Sequence, residues 1–288
     1  MDIVSALLLA LSATLASARN VLVKGFAGFE IKSREFFGGQ ASIFGAGCIV
    51  LLFVNLFDFN GISAFTVLFA LVYGALLICA QWCYTLALMH GKTAICVTVY
   101  SFGFVIPTLS GAIFWGESLG VFTVLGILTV FPVLIISGTK KKEEKSTSGS
   151  YIIYITLALL ASGGLGIVQK IQQKSQYASQ TSTFILTAFV FAFAVSFLFF
   201  LFMKRGEKPI TYKNLGFCGI VGVFFSVCNL LNTFLAGALD SAIFFPAINI
   251  GSIVMSTVFG LIFYKEKLTK KDFIILGLGA LAILLVNL

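Results

Sequence analysis

Arg19 is the residue of this sequence best placed to do chemistry. It stands about three-quarters of the way along an apolar run, residues 3–24, with no acidic residue near it. A guanidinium is always charged and presents five donors in a fixed fork that matches carboxylate and phosphate. Placed in a hydrophobic span, it can hold an anionic substrate group. Its long stem can instead carry the charge out to the headgroups. The sequence leaves both readings open.

Six further polar side chains fall at lipid depth. Asn229 and Asn232 are spaced i, i+3 and share a helix face, as do Gln81 and Tyr84. Asn249 lies early in the following run, and Tyr100 stands opposite it at an offset of 149 (249 − 100). Polar groups are costly among lipid chains, so they turn to the protein interior. With Arg19, these residues form the expected substrate-binding set: Arg19, Gln81, Tyr84, Tyr100, Asn229, Asn232 and Asn249. Helix-to-helix hydrogen bonding without a ligand is the plainer alternative. Trp82, Tyr84, Tyr100, Phe102 and Phe104 could wall a site for organic cations. With 32 Phe in the chain, aromatic neighbours are commonplace and this wall carries little weight.

Enzyme chemistry is poorly served. His90 is the one histidine, at the end of a span, and no acidic residue stands at mid-depth. No nucleophile and base can pair there. All six cysteines lie within apolar runs and no CxxC occurs. Cys79 and Cys83 share a face but lack further ligands, so no metal site is expected. No GxxxxGK[ST] motif occurs, which argues against direct drive by ATP. The sequence implies no enzyme activity, no cofactor and no metal.

The elements that position these residues follow from composition. The chain of 288 residues is 59% hydrophobic and 10% charged, with a mean hydropathy of +1.06. Soluble domains carry about a quarter charged residues. The solvent must therefore largely be lipid, and the continuous apolar runs exclude the alternating strands of a β-barrel. The expected class is an all-α membrane protein with ten transmembrane helices. They fall near residues 3–24, 36–57, 63–89, 92–114, 118–138, 151–173, 180–203, 213–238, 241–263 and 270–287. The apolar start lacks a basic flank and has Asp2 instead, so it reads as a span rather than a cleaved signal.

The two halves repeat. Leu9-Ala10-Leu11-Ser12-Ala13 matches Leu157-Ala158-Leu159-Leu160-Ala161, and Leu86-Ala87 matches Leu235-Ala236. Phe114-Trp115-Gly116-Glu117-Ser118-Leu119 matches Phe263-Tyr264-Lys265-Glu266-Lys267-Leu268. Residues 1–138 form the first five-span repeat, 139–150 a charged Ser/Gly-rich linker, and 151–288 the second repeat. An odd number of spans per half makes the second half enter the membrane from the opposite side. Such inverted repeats are common in secondary transporters. Pro107 and Pro246 interrupt spans, and Gly163, Gly164 and Gly166 permit close helix approach. Glu117 and Glu266 read as turn residues at span ends.

Lys and Arg number 16 in the odd-numbered loops and 2, Lys170 and Lys174, in the even-numbered ones. The positive-inside rule then places the odd loops and the linker in the cytoplasm and both termini outside. The net charge of +8 is thus a matter of orientation and lipid headgroups, not of nucleic acid.

Tyr84-Thr85-Leu86-Ala87-Leu88, Pro107 and the Trp115-Gly116-Glu117-Ser118-Leu119 turn, with Glu266-Lys267-Leu268-Thr269 and Gly277, resemble the ten-span EamA-type members of the drug/metabolite transporter superfamily. The resemblance implies a central cavity lined by the first, third, fourth, sixth, eighth and ninth spans. It also implies export or exchange of a small molecule. Ten spans can enclose a cavity in one chain, so a monomer suffices, with a homodimer as the alternative. The first span lacks the family's frequent Trp, and the charge rule reverses the family's usual orientation. A secondary carrier in the lipid bilayer, in a bacterial cytoplasmic membrane, is the function expected. A channel or passive scaffold is the alternative, and an intramembrane enzyme the least favoured.

Overall fold

The computed structural model describes residues 3–23, 33–118, 120–138, 149–206, 212–265 and 268–286. The linker residues 139–148, Asp2, Lys24, Glu266 and Lys267 lie outside them, as does the side chain of Pro246. Among the described residues the chain is helical throughout, without strands. Backbone groups in lipid must be satisfied within their own segment, and a helix does this.

In the first half run α1 (Ile3–Leu22), α2 (Arg34–Phe57), α3 (Ala64–His90), α4 (Thr93–Ser101), α5 (Val105–Trp115) and α6 (Val121–Gly138). In the second run α7 (Gly149–Lys174), α8 (Thr181–Phe202), α9 (Tyr212–Ala238), α10 (Ser241–Tyr264) and α11 (Lys270–Val286). Among the described residues, eight stretches are long and apolar enough to cross a bilayer, with α4 and α5 counted as one. The chain is an integral membrane protein. The fifth and tenth expected spans correspond to α6 and α11, of 18 and 17 residues, which fall outside those eight. They pack on each other.

The expected fourth span is broken. Phe102–Phe104 is a 3-10 turn between α4 and α5. Pro107 lies in the first turn of α5, where a missing N–H leaves no helical bond unmade. The break is covered by the small residues of α7. A Cβ on Gly163 would lie 2.8 Å from the Gly103 carbonyl, and one on Gly166 would lie 2.8 Å from Pro107 Cγ. The two backbones meet here because neither position carries a side chain. Two sequence expectations shift in detail. Gly149 and Ser150 open α7 rather than closing the linker. Lys170, counted above as a loop charge, lies within α7 and is 1% exposed.

Most contacts between the halves recur when the halves are exchanged, although the contact of α4 with α11 is not matched to the same extent by α10 with α6. α1 packs on α9 as α7 packs on α3, and α2 on α9 as α8 on α3. α1 meets α10 as α7 meets α4 and α5. The contacts of α2 with α8, α4 with α10 and α6 with α11 are their own counterparts. The correspondence reaches single residues. Gly116 ends α5 in the left-handed region and its N–H bonds the Gly111 carbonyl. Lys265 ends α10 in the left-handed region and its N–H bonds the Gly260 carbonyl. Both pairs differ by 149 (265 − 116 and 260 − 111).

Glycine takes φ +65° at no cost, whereas Lys265 holds φ 49° with a Cβ that crowds its own carbonyl. Lys265→Gly is expected to stabilise the protein by about 1 kcal/mol. A raised melting temperature in detergent would show it, while Gly116→Lys should lower it by a similar amount.

Candidate functional site

A cavity lies among α1, α3, α4, α7, α9 and α10, with about 750 Å³ of unfilled space, part of it continuous with the outside. Each half contributes three of these helices. The lining mixes the rings of Phe225, Phe244 and Phe245 with amides and hydroxyls.

Arg19 dominates its electrostatics. The residue is 4% exposed and lines the cavity rather than reaching along the lipid face. Nη1 donates to Asn20 Oδ1 at 2.9 Å, and Nη2 donates to Gln81 Oε1. The guanidinium carbon sits 4.2 Å from the centre of the Phe225 ring and 5.5 Å from that of Tyr84. Its partners are neutral dipoles and aromatic faces. Nε is buried and has no hydrogen-bond partner.

A second network joins the halves beside it. Tyr73 is fully buried on α3, and its hydroxyl donates to Asn229 Oδ1 at 2.7 Å while accepting from Gln169 Nε2 at 2.7 Å. Gln169 Nε2 also donates to Thr233 Oγ1 at 3.0 Å. Ser12 Oγ donates to Asn232 Oδ1 at 2.6 Å, tying α1 to α9. Asn20 Nδ2 donates to Ser252 Oγ at 3.0 Å, tying α1 to α10.

Of the seven expected site residues, Arg19, Tyr100, Asn229, Asn232 and Asn249 line the cavity. Gln81 and Tyr84 stand behind this surface, the first accepting from Arg19 and the second packed 4.8 Å from the Tyr100 ring. Asn249 turns its Nδ2 back to the Phe245 carbonyl of its own helix at 2.6 Å. The supposed aromatic wall divides. Tyr100 lines the cavity, but Trp82 packs against Phe37 and Phe199 on the far side of α3.

Sequence reasoning missed Asn20, Tyr73, Gln169 and Ser252. Tyr73 was within reach, because 73, 77, 81 and 84 follow one helical face. It also missed Lys170 and Glu117. Lys170 Nζ meets Glu117 Oε1 at 2.6 Å and the Leu239 carbonyl at 3.2 Å. Glu117 Oε2 accepts from the Ser241 N–H at 3.0 Å. A Cβ at Gly111 would strike this carboxylate, so glycine there lets it fold back over α5. Burial pushes the Glu117 carboxyl up, but hydrogen bonds from Lys170 and Ser241 and the Lys170 charge outweigh it and hold it below the usual range.

The Tyr73 hydroxyl serves two helices at once, so its removal leaves two buried amides short of a partner. Tyr73→Phe is expected to destabilise by about 1 kcal/mol, in the range of interhelical bonds in membranes. Asn249→Ala should cost less, because among the described residues its amide bonds only its own helix. Melting temperatures of the two variants compare them directly.

The sequence model of the EamA-like transporter family matches residues 149–288. No curated protein matches the chain. A solved crystal structure of 15% sequence identity aligns over 99% of this chain and 96% of its own, with a TM-score of 0.65. At that identity the likeness establishes the fold alone. Residues 149–288, from the first turn of α7 onward, are thus similar to the EamA-like transporter family of the drug/metabolite transporter superfamily.

Proposed function

We propose that the protein is a secondary transporter that moves a small metabolite or drug-like molecule by alternating access, as an exporter or exchanger. The observation that carries this reading is a cavity with polar side chains in its lining, built jointly by two halves whose contacts largely recur under their exchange. Two packings related by such an exchange are equivalent in geometry but open to opposite sides. The reading takes the chain as ten spans in two inverted repeats, 1–138 and 151–288. The family match over the second half supports it. One chain encloses the cavity, so a monomer suffices and a homodimer adds nothing to the site.

Arg19, Tyr100, Asn229, Asn232 and Asn249 contact the substrate in this reading, with Gln81 and Tyr84 holding Arg19 from behind. The surplus of Lys and Arg in the odd loops orients the protein in a bacterial cytoplasmic membrane with those loops and the linker inside and both termini outside. Moving Lys170 into α7 strengthens that surplus.

Two ion pairs join the halves at opposite ends. Lys170 with Glu117 lies at the even-loop end, and Lys92 with Asp272, at 2.5 Å, at the odd-loop end. The first seals the cavity beside Gln169 and Phe244 and must part for that side to open. In the conformation described, a carboxyl held below its usual range stays ionised at neutral pH. Its contribution is complete above the ordinary carboxylate pKa of about 4 to 5 and is lost as pH falls through the lower value in the folded protein. Mild acid therefore does not release this contact, and Glu117 is a gate rather than a proton carrier.

Counterflow in proteoliposomes tests the carrier. Labelled succinate, phosphate, glutamate, glucose and choline are offered outside, each with the same unlabelled compound inside. A carrier gives saturable uptake accelerated by internal substrate. Uptake that rises linearly and ignores the internal compound makes the protein a channel. The gate has its own test. A cysteine at Ser241 should react with an impermeant maleimide several-fold faster in Glu117→Gln than in the parent, against the blank of the native cysteines. Equal rates would remove the gate.

A further inference from the structure

We infer that the cavity selects a small polar anion, a carboxylate or phosphate-bearing solute, and that Arg19 is its anchor. This deepens the transporter reading and rests on it.

The charge on Arg19 has no opposing charge in the cavity lining described. Arg19 is buried, and among the described residues no Asp or Glu lines the cavity. The described carboxylates are engaged elsewhere or lie at helix ends. Glu35 holds the Gly206 N–H, Glu117 holds Lys170, and Asp272 holds Lys92. Asp58 follows α2 and Asp240 precedes α10. A buried cation without an anion carries a large desolvation cost, which dipoles and aromatic faces offset only in part. An anion entering the cavity supplies what the fold withholds. Its charge-assisted bond forms at a guanidinium that is 4% exposed, where it is stronger than in bulk water.

The donors are also placed for it. Arg19 keeps Nε without a partner. Asn232 faces the same cavity, and among the described residues its Nδ2 has only the Cys228 sulfur, at 3.5 Å, as acceptor. Sulfur is a weak acceptor that a carboxylate or phosphate oxygen displaces. A cationic solute would face Arg19 with no opposing carboxylate in the lining. The Phe225 ring, which could otherwise greet a cation, already lies against the guanidinium.

The test uses the purified full chain in phospholipid-free detergent and follows melting temperature against ligand concentration. Succinate and glycerol 3-phosphate are the anions, succinamide and glycerol their neutral counterparts, choline the cation, and phosphatidylglycerol the lipid source of a phosphate. A ligand that binds only the folded state raises the melting temperature with the logarithm of its saturation. At least one soluble anion should stabilise the wild type. The apparent affinity should fall at least ten-fold in Arg19→Gln and recover in part in Arg19→Lys. Asn232→Ala should weaken it without abolishing it. Without ligand, Arg19→Gln should melt no lower than wild type, because it removes an uncompensated charge. This separates an anchor from a residue needed only for folding.

Equal stabilisation by succinamide, glycerol or choline overturns the inference. So does a response unchanged in Arg19→Gln, or one given by phosphatidylglycerol alone. Counterflow of a neutral or cationic compound overturns the anion assignment and leaves the carrier intact. Linear, Arg19-dependent anion leak keeps the assignment and overturns the carrier.

Discussion

The structure turns on how one buried guanidinium is held. Placing Arg19 beneath the surface of a helix bundle costs more than any single apolar contact returns. The surrounding helices answer with the resources that neutral residues offer. Asn20 and Gln81 turn amide oxygens to it, Phe225 and Tyr84 turn ring faces to it, and Ser252 fixes the orientation of Asn20 in turn. Each answer draws in another helix. α1 is thereby tied to α3, α9 and α10, and these helices can meet around Arg19 only with their polar faces inward. The cavity is the space left among side chains that are too polar to collapse on one another.

The class of fold was legible because lipid imposes a coarse rule. Runs of about twenty apolar residues have few uses other than crossing a bilayer. The sequence match around Gly116 and Lys265 has a structural counterpart, since α5 and α10 end there in the same left-handed conformation. The break between α4 and α5 was half legible. Pro107 marked it, but the 3-10 turn lies before the proline, at a place set by how closely Gly103 and Gly163 let the backbones approach. That depends on two segments far apart in the chain, which spacing along one of them does not reveal.

The site was legible by residue type more than by partnership. Polar side chains at depth had to face inward, and five of the seven expected residues line the cavity. What spacing did not convey was the order of layers. Gln81 and Tyr84 share a face with Tyr73, yet Tyr73 meets the cavity while they stand behind Arg19. The Arg19 guanidinium reaches α3 and meets both. Lys170 was misplaced for a related reason. A lysine near the end of an apolar run looks solvated unless its acid, 53 residues earlier (170 − 117), is brought beside it.

Exchange symmetry in the packing does not extend to the chemistry of the cavity. α3 and α9 begin at an offset of 148 (212 − 64), which sets Gln81 opposite Asn229 (229 − 81). Both amide oxygens act as acceptors. Gln81 receives a charged donor from Arg19, and Asn229 receives a neutral one from Tyr73. The charged group stands on the first half alone. In the proposed carrier, two packings equivalent for the backbone are therefore unequal for a charge, because Arg19 belongs to one half only. An empty carrier must move this cation uncompensated, whereas a loaded one moves it neutralised. That difference favours transitions with substrate bound, which is the condition for exchange rather than leak.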